Sequence, residues 1–120
     1  MTLVDTSIWI EHLRGGSTEL ASLLLGAQVL MHPFVAGELA CGNLQNRQEV
    51  LSLLDRLPGS KVASHYEVRY FIEQNRLMGR GIGYVDAHLL ASAALTPGSK
   101  LWTADLRLAA VAADLQVGNL

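Results

Sequence analysis

Cysteine is almost missing from this chain: of 120 residues only Cys41 carries a thiol. That excludes an intrachain disulfide framework and a cysteine-built zinc site, and Cys41 reads as a small buried hydrophobe. Charge is sparse, at 17% of residues, while 50% are hydrophobic, so a disordered chain is excluded. There is no basic excess either. Nine Lys and Arg stand against eleven Asp and Glu, which argues against a generic basic nucleic-acid coat. A long apolar run is also lacking. Residues 20–37 carry no charge, but Gly26, Gln28, His32, Pro33 and Gly37 interrupt them, and a membrane span needs about 20 predominantly apolar residues. The first residues have no basic segment and meet Asp5 at once, so they do not read as a signal peptide, and a cytoplasmic protein is expected. No Gly-x-x-x-x-Gly-Lys-Ser/Thr loop occurs, and the four histidines share no ligand or triad spacing.

What is present is an alternation of short apolar runs with helical stripes. Leu3-Val4 reads as a strand tip running through Asp5-Thr6-Ser7 into a helix from Ser7 to Leu13, stopped by Gly15-Gly16. Ser17 caps a helix with Leu20, Leu23, Leu24 and Ala27 on one face, and Gln28 to His32 reads as a second strand. Pro33 opens a helix to about Cys41-Gly42, and Val50, Leu53, Leu54 and Leu57 stripe the next, which ends at Pro58-Gly59. Lys61 to Ala63 is expected to be a short strand. Ser64 and Glu67 match a capping box whose helix continues to about Met78. Gly79, Gly81 and Gly83 form a connection to Tyr84–Leu95, which is apolar on almost every side and reads as a central buried helix. After Thr96-Pro97-Gly98 come a strand over Lys100–Thr103, a helix capped by Asp105, and a last short strand around Gln116-Val117. The pattern predicts a single α/β domain over residues 1–120, a three-layer α/β/α sandwich around a mostly parallel sheet.

Four carboxylates fall where such a sheet builds its sites, beyond the carboxyl ends of strands. Asp5 and Asp105 end strands, Asp86 lies in the first turn of the apolar helix, and Glu38 interrupts an apolar one. Each alone has an ordinary reading: a cap, a turn, a helix-dipole partner or a wet helix edge. Together they need a cation, because burying unpaired carboxylates costs several kcal/mol or neutralises them. Oxygen donors without Cys or paired His select hard ions such as Mg²⁺ or Mn²⁺, and carboxylates holding such ions suit phosphodiester hydrolysis.

Leu3-Val-Asp-Thr-Ser-Ile-Trp-Ile, Glu38, Gly83-Tyr-Val-Asp-Ala-His-Leu-Leu-Ala and Leu101-Trp-Thr-Ala-Asp-Leu-Arg-Leu resemble, in order and spacing, the acidic motifs of PIN-domain ribonucleases. More narrowly the chain resembles the VapC-type toxins of bacterial and archaeal toxin–antitoxin pairs, from residue 2 to about residue 117. The resemblance implies a PIN-like fold and an endoribonuclease toxin dependent on Mg²⁺ or Mn²⁺. It implies Asp5, Asp86 and Asp105 as metal ligands, Glu38 completing the catalytic set, and Thr6, Ser7 and Thr103 in support. It implies an RNA substrate, a cognate antitoxin that binds in a groove near the active site, a homodimer, and higher toxin–antitoxin assemblies. Where some relatives carry a further acid after the last motif, this chain has Leu106 and Arg107, which leaves a second ion to be recruited alongside RNA.

Arg69, Arg76 and Arg80 share a helical face if the helix reaches Arg80, so Arg76 and Arg80 are candidates for RNA phosphate contacts, with Arg14 and Arg107 near strand ends. The ordinary alternative is a solvated face with Glu73 pairing across one turn. His88, two residues after Asp86, points to another helical face and reads as structural. Trp9, among Ile8, Ile10 and Leu13, leaves open whether the core takes every apolar side chain of its helix or some face a partner. The competing functions are a catalytically silent PIN-like module that binds RNA or protein, and an Asp-based phosphotransfer enzyme. The full acidic set speaks against the first, and Ser7, where a second Asp would be expected, against the second.

Overall fold

The computed structural model describes residues 1–119. Its sheet has three parallel strands in the order β2-β1-β3: β1 (Thr2–Val4), β2 (Val29–Leu30) and β3 (Lys100–Trp102). Alternate residues of a strand point to opposite faces, and Thr2, Leu3 and Val4 are all buried. Both faces of the central strand are therefore covered, which is the three-layer arrangement expected of an unbroken apolar strand.

Seven helices pack around this sheet among the described residues: α1 (Thr6–Gly15), α2 (Thr18–Leu25), α3 (Pro33–Ala40), α4 (Arg47–Asp55), α5 (His65–Gln74), α6 (Tyr84–Leu95) and α7 (Leu106–Asp114). The central helix is α6, as its composition predicts. Ala87 through Ala93 are buried without a break, and Leu89 and Leu90 meet Leu3, Leu101 and Leu108 in the main core. No helix is long and apolar enough to cross a membrane among the described residues. In α1, Ile8 and Trp9 enter the core, but Ile10 and Leu13 stay 38% exposed, so the core does not take the whole apolar surface of that helix.

Four expectations need correction. Lys61–Ala63 is not a strand. Pairing with Met31 occurs earlier, at Gly59, where Met31 N donates to Pro58 O and Ser60 N to Met31 O. Lys61 N instead donates to the Thr96 hydroxyl at 3.0 Å. The Gln116–Val117 strand is only a single bridge, Leu101 to Gly118, because Gln116 turns the chain with φ +61°. Helix α5 stops at Gln74, not Met78. The Asn75 side chain donates to Phe71 O at 2.9 Å, and Arg76 takes φ +52°, which no helix continues through. Cys41 is exposed, because it sits at the carboxyl end of α3, off the Val35–Leu39 face that meets the core.

Candidate active site

All three strands end in the same direction, and each delivers the chain to a helix that carries an acid: β1 to Asp5 and α1, β2 to α3 with Glu38, β3 to Asp105 and α7. Asp5 lies on the central strand, where connections leave toward both flanks, the place at which open parallel sheets form crevices.

Asp5 is buried, and its oxygens are heavily used. Its Oδ1 accepts from Thr6 N at 2.8 Å. Its Oδ2 accepts from the Thr103 hydroxyl at 2.6 Å and from the Ser7 hydroxyl at 3.1 Å. Thr103 Oγ1 in turn accepts from Asp105 N, and Ser7 Oγ from Ala104 N, so both hydroxyls stitch the end of β1 to the end of β3. The Thr6 hydroxyl donates to Glu38 Oε1 at 2.6 Å, bringing α3 to the same place. Thr6, Ser7 and Thr103 thus do locally what hydroxyls beside carboxylates do, holding them in one orientation.

Asp105 Oδ1 accepts from the amides of Arg107 and Leu108, capping α7. Asp86 Oδ2 accepts from Gly83 N at 3.0 Å, half of a capping box whose other half glycine has no side chain to supply. One oxygen of each remaining acid, Asp86 Oδ1, Asp105 Oδ2 and Glu38 Oε2, has no hydrogen-bond partner among the described residues. Nor does any Lys or Arg pair with the four acids. The one ion pair among the described residues joins Arg80 to Asp114.

The electrostatic consequence falls on Asp86. Burial raises its pKa above the ordinary carboxylate value, and the charges of Asp5, Asp105 and Glu38 raise it further, against the lowering effect of the Gly83 amide. The other three acids are therefore close enough for Asp86 to feel their charge.

This donor set fits a hard cation held partly through water. Among the described residues no three His, Cys, Asp or Glu side chains are arranged to grip an ion directly. Mg²⁺ asks for less, since it usually keeps several waters and takes one or two carboxylates. Three outward carboxylate oxygens facing mutual repulsion are suited to that.

The candidate arginines divide. Arg14 and Glu38 line one groove of about 490 Å³, with Ile10, Leu13, Leu39 and Val50. Arg107 lies against the acidic end of α7 and lays its side chain across Gly81, where a Cβ would come within 2.8 Å of Arg107 Cδ. Gly81 also has φ +81°, so only glycine suits it. Arg76 and Arg80 do not share a helical face with Arg69, because α5 ends before them, and Arg80 is engaged with Asp114 at 2.8 Å.

Sequence reasoning missed two kinds of residue. Arg47 closes the end of α3, its guanidinium donating to the carbonyls of Ala40 and Gly42. Phe34 and Tyr84 each pack on His88, with ring centroids 4.6 Å from it. The i,i+4 spacing of Tyr84 and His88 on one helix is the signal that could have found the second contact.

The family model for the PIN domain matches residues 2–114. Two curated relatives, each called Ribonuclease VapC32, from Mycobacterium tuberculosis strains CDC 1551 / Oshkosh and ATCC 25618 / H37Rv, are each 48% identical over 114 residues. Those matches cover 95% of this chain and 92% of each relative.

Proposed function

The chain belongs to the PIN domain family, and from that premise we propose that it is a divalent-metal-dependent endoribonuclease acting as the toxin of a toxin–antitoxin pair. The observation that carries the chemistry is the acidic set itself. The Ser7 and Thr103 hydroxyls tie Asp5 to the end of β3 that leads to Asp105, and the Thr6 hydroxyl ties Glu38 beside them. The charges of these three acids act on Asp86. None of the four has a Lys or Arg partner among the described residues, and three have an oxygen without a partner. The name carried by the relatives, ribonuclease, supports RNA as the substrate.

Asp5, Asp86 and Asp105 would hold Mg²⁺ or Mn²⁺, with Glu38 completing the set. When bound, the ion lowers the pKa of the attacking water and offsets charge at the scissile phosphate. Thr103 and Ser7 keep Asp5 from rotating, and Thr6 does the same for Glu38. Asp86 would serve the cation through Oδ1, since only its Oδ2 is engaged, by Gly83 N. Arg14 and Arg107 stand at the edge of the site to meet RNA phosphates. The cognate antitoxin belongs in the groove beside Glu38, whose exposed Ile10 and Leu13 give an apolar floor and whose Arg14 offers a charge. A homodimer is part of the same reading. An exposed face for it lies on α5 and the end of α6, where Tyr66 is 80% and Tyr70 66% exposed near Leu95.

The test is cleavage of RNA by the purified protein with and without Mn²⁺, beside Asp5→Asn. Metal-dependent cleavage that the substitution abolishes supports the proposal. Equal cleavage by wild type and Asp5→Asn overturns it.

A further inference from the structure

Three of the four acids are joined to one another by hydroxyls. Thr103 and Ser7 tie Asp5 to the end of β3 that leads to Asp105, and Thr6 ties Glu38 beside Asp5. No hydroxyl reaches Asp86 among the described residues. Its side chain has one hydrogen bond there, from Gly83 N, within its own helix start. Packing of Leu89 and Leu90 in the core places α6 as a whole. The turn that carries the Gly83 amide is placed by the segment that leads into it.

That segment has little of its own to hold it. Leu77 is buried and Ile82 packs on the core. Among the described residues the backbone of Met78 to Ile82 makes one hydrogen bond, Arg80 N to Leu77 O at 3.4 Å. Gly79 and Gly81 take φ of +73° and +81°. A stretch with few backbone hydrogen bonds opens easily. Helix α7 restrains it from outside, at both of its ends. Asp114, the last residue of α7, pairs with Arg80 at 2.8 Å, an exposed pair that salt weakens. Arg107, in the first turn, lies across Gly81. A Cβ at residue 81 would stand 2.8 Å from Arg107 Cδ, 2.9 Å from Nη1 and 3.3 Å from Nε, so the contact exists because residue 81 has no side chain. The same Arg107 donates its amide to Asp105 Oδ1 at 2.9 Å. One residue thus bonds one acid through its backbone. Through its side chain it rests two residues before the amide that holds another.

We propose that Arg107 is a positioning residue for Asp86. By packing on Gly81 it holds the Gly83 amide in place, and so fixes the span between the carboxylates of Asp86 and Asp105. The proposal rests on the metal-nuclease reading above and gives Arg107 a task besides meeting RNA phosphates. The effect is one of shape. No acid pairs with the Arg107 guanidinium among the described residues, and the atom nearest Gly81 is the uncharged Cδ. The need for it is geometric. Mg²⁺ asks for near-ideal octahedral geometry at about 2.0–2.1 Å, and such a site works when its groups are held within about 0.5 Å. Hydroxyls hold three of the acids to that tolerance. A side chain laid over a glycine holds the fourth.

The experiment has two readouts besides cleavage: isothermal titration with Mn²⁺ and, in the metal-free protein, hydrogen exchange at the Gly83 amide by NMR. The proteins are wild type, Arg107→Ala, Arg107→Met, Gly81→Ala and the double variant of Gly81→Ala with Arg107→Ala, each checked for a native circular-dichroism spectrum. Methionine keeps an unbranched stem over Gly81 and drops the charge. Gly81→Ala pushes the Arg107 side chain off from the other side. Arg107→Ala is expected to bind Mn²⁺ about 10- to 100-fold more weakly, the range for residues that orient a metal's ligands, and to lose protection at Gly83. Arg107→Met restores both. Gly81→Ala loses both, and adding it to Arg107→Ala costs little more, since each removes the same contact. In cleavage, the missing charge raises KM for RNA in both Arg107 variants, whereas the lost position shows in Arg107→Ala alone, as a higher Mn²⁺ requirement. If Arg107→Ala or Gly81→Ala does not fold, the other carries the comparison with Arg107→Met. Wild-type Mn²⁺ affinity in Arg107→Ala overturns the proposal and leaves the metal-nuclease reading standing. A loss that Arg107→Met shares in full overturns it too, because the charge and not the stem would then be responsible. If wild type itself binds no Mn²⁺, the metal-nuclease reading fails and Gly83 exchange decides the positioning role: protection lost in Arg107→Ala supports it, and protection unchanged overturns it.

Discussion

Helices α5 and α6 begin with the same device and put it to opposite uses. At α5, Glu67 accepts from Ser64 N at 2.8 Å while Ser64 Oγ accepts from Glu67 N at 3.1 Å. At α6, Asp86 accepts from Gly83 N at 3.0 Å. Yet the two carboxyl groups shift in opposite directions. Hydrogen bonds from the Ser64 backbone and side chain hold Glu67 below its ordinary value. Burial, joined by the charges of Asp5, Asp105 and Glu38, lifts Asp86 above its own. Glu67 is a cap and nothing more: its charge is welcome, solvated and used locally. Asp86 makes the same bond, but burial and like charges around it disfavour its charged form, and its Oδ1 has no partner among the described residues. A capping hydrogen bond therefore does not identify a residue as merely structural; the sign of the electrostatic balance around it does.

The largest test of that contrast removes one charge from each helix. Asp86→Asn keeps the shape and a hydrogen-bonding oxygen but withdraws a metal-binding charge. It is expected to lower RNA cleavage by about 10³-fold or more, since the ion's contribution is several kcal/mol. The same substitution should raise the midpoint of thermal unfolding of the metal-free protein. The sign follows from the raised pKa. The folded state holds the Asp86 proton more tightly than the unfolded state, so stability falls as pH rises from about 3.8 through the folded value and stays reduced at neutrality. Glu67→Gln is expected to do the reverse on both counts: cleavage unchanged, the fold slightly weakened. The Glu67 contribution is present above about 4.5 and lost as pH falls through its lowered value. Cleavage by Asp86→Asn at the wild-type rate would erase the distinction between the two caps.

A third cap extends the comparison to a cation that is not allowed to form. His32 caps α3 through Nδ1, is fully buried, and leaves Nε2 without a partner among the described residues. Burial first, and then the nearby His88, hold its pKa down at about 4. Between the unfolded value of 6.5 and about 4 the unfolded chain binds a proton that the folded chain refuses. Stability should therefore fall as pH is lowered through that window, by on the order of 3 kcal/mol for the full shift. His32→Asn keeps a side chain able to cap a helix and removes the titration. Urea midpoints at pH 7 and pH 4 should differ less in this variant than in wild type. An equal difference in both would locate the acid sensitivity elsewhere.

How much of this was readable from residue order depends on whether a neighbour in sequence or in space decides. The strand end at Val4, the caps at Ser64 and Asp105, and the burial of α6 follow from local pattern, and the structure has them there. The strand expected to reach Thr103 ends at Trp102, and the helix expected from Ser7 starts one residue earlier, capped by Asp5. Asp5 and Asp105 were legible as neighbours because strand ends in a parallel sheet share a side, and the Thr103 hydroxyl links them. The ends of α5 and the placement of Arg76 were not, because one left-handed residue after Asn75 outweighs a continued stripe. Lys61–Ala63 looked like a strand by composition, but the Thr96 hydroxyl, far along the chain, took its amide. The packing of Phe34 on His88, and the opposite electrostatic fates of Glu67 and Asp86, are tertiary facts with no local signature, whereas Tyr84 and His88 are an i,i+4 pair on one helix.

A metal titration follows the same contrast from the ligand side. If Asp86 is held charged in order to take a cation, Mn²⁺ should stabilise the folded protein, by about 2.7 kcal/mol at a hundredfold excess over its dissociation constant. Differential scanning fluorimetry with and without Mn²⁺ should show the shift in wild type and in Glu67→Gln, and little of it in Asp86→Asn.

The smallest expected effect isolates the purely structural partner. Ser64→Ala removes the hydroxyl that accepts from Glu67 N but leaves the Glu67 bond to Ser64 N in place, so half a box remains, as at Gly83. Losing a serine cap costs typically about 1 kcal/mol. If α5 serves only to support the fold at this point, Ser64→Ala should lower the urea midpoint by that amount with no change in m-value, and RNA cleavage per folded molecule should stay as in wild type. The two half-boxes would then be alike in hydrogen bonding and unlike only in their charges. A fall in cleavage beyond the loss of folded protein would mean that the start of α5, with His65 holding Tyr84, transmits to the acidic set, and that the boundary between the structural cap and the functional one lies further from Asp86 than its own helix.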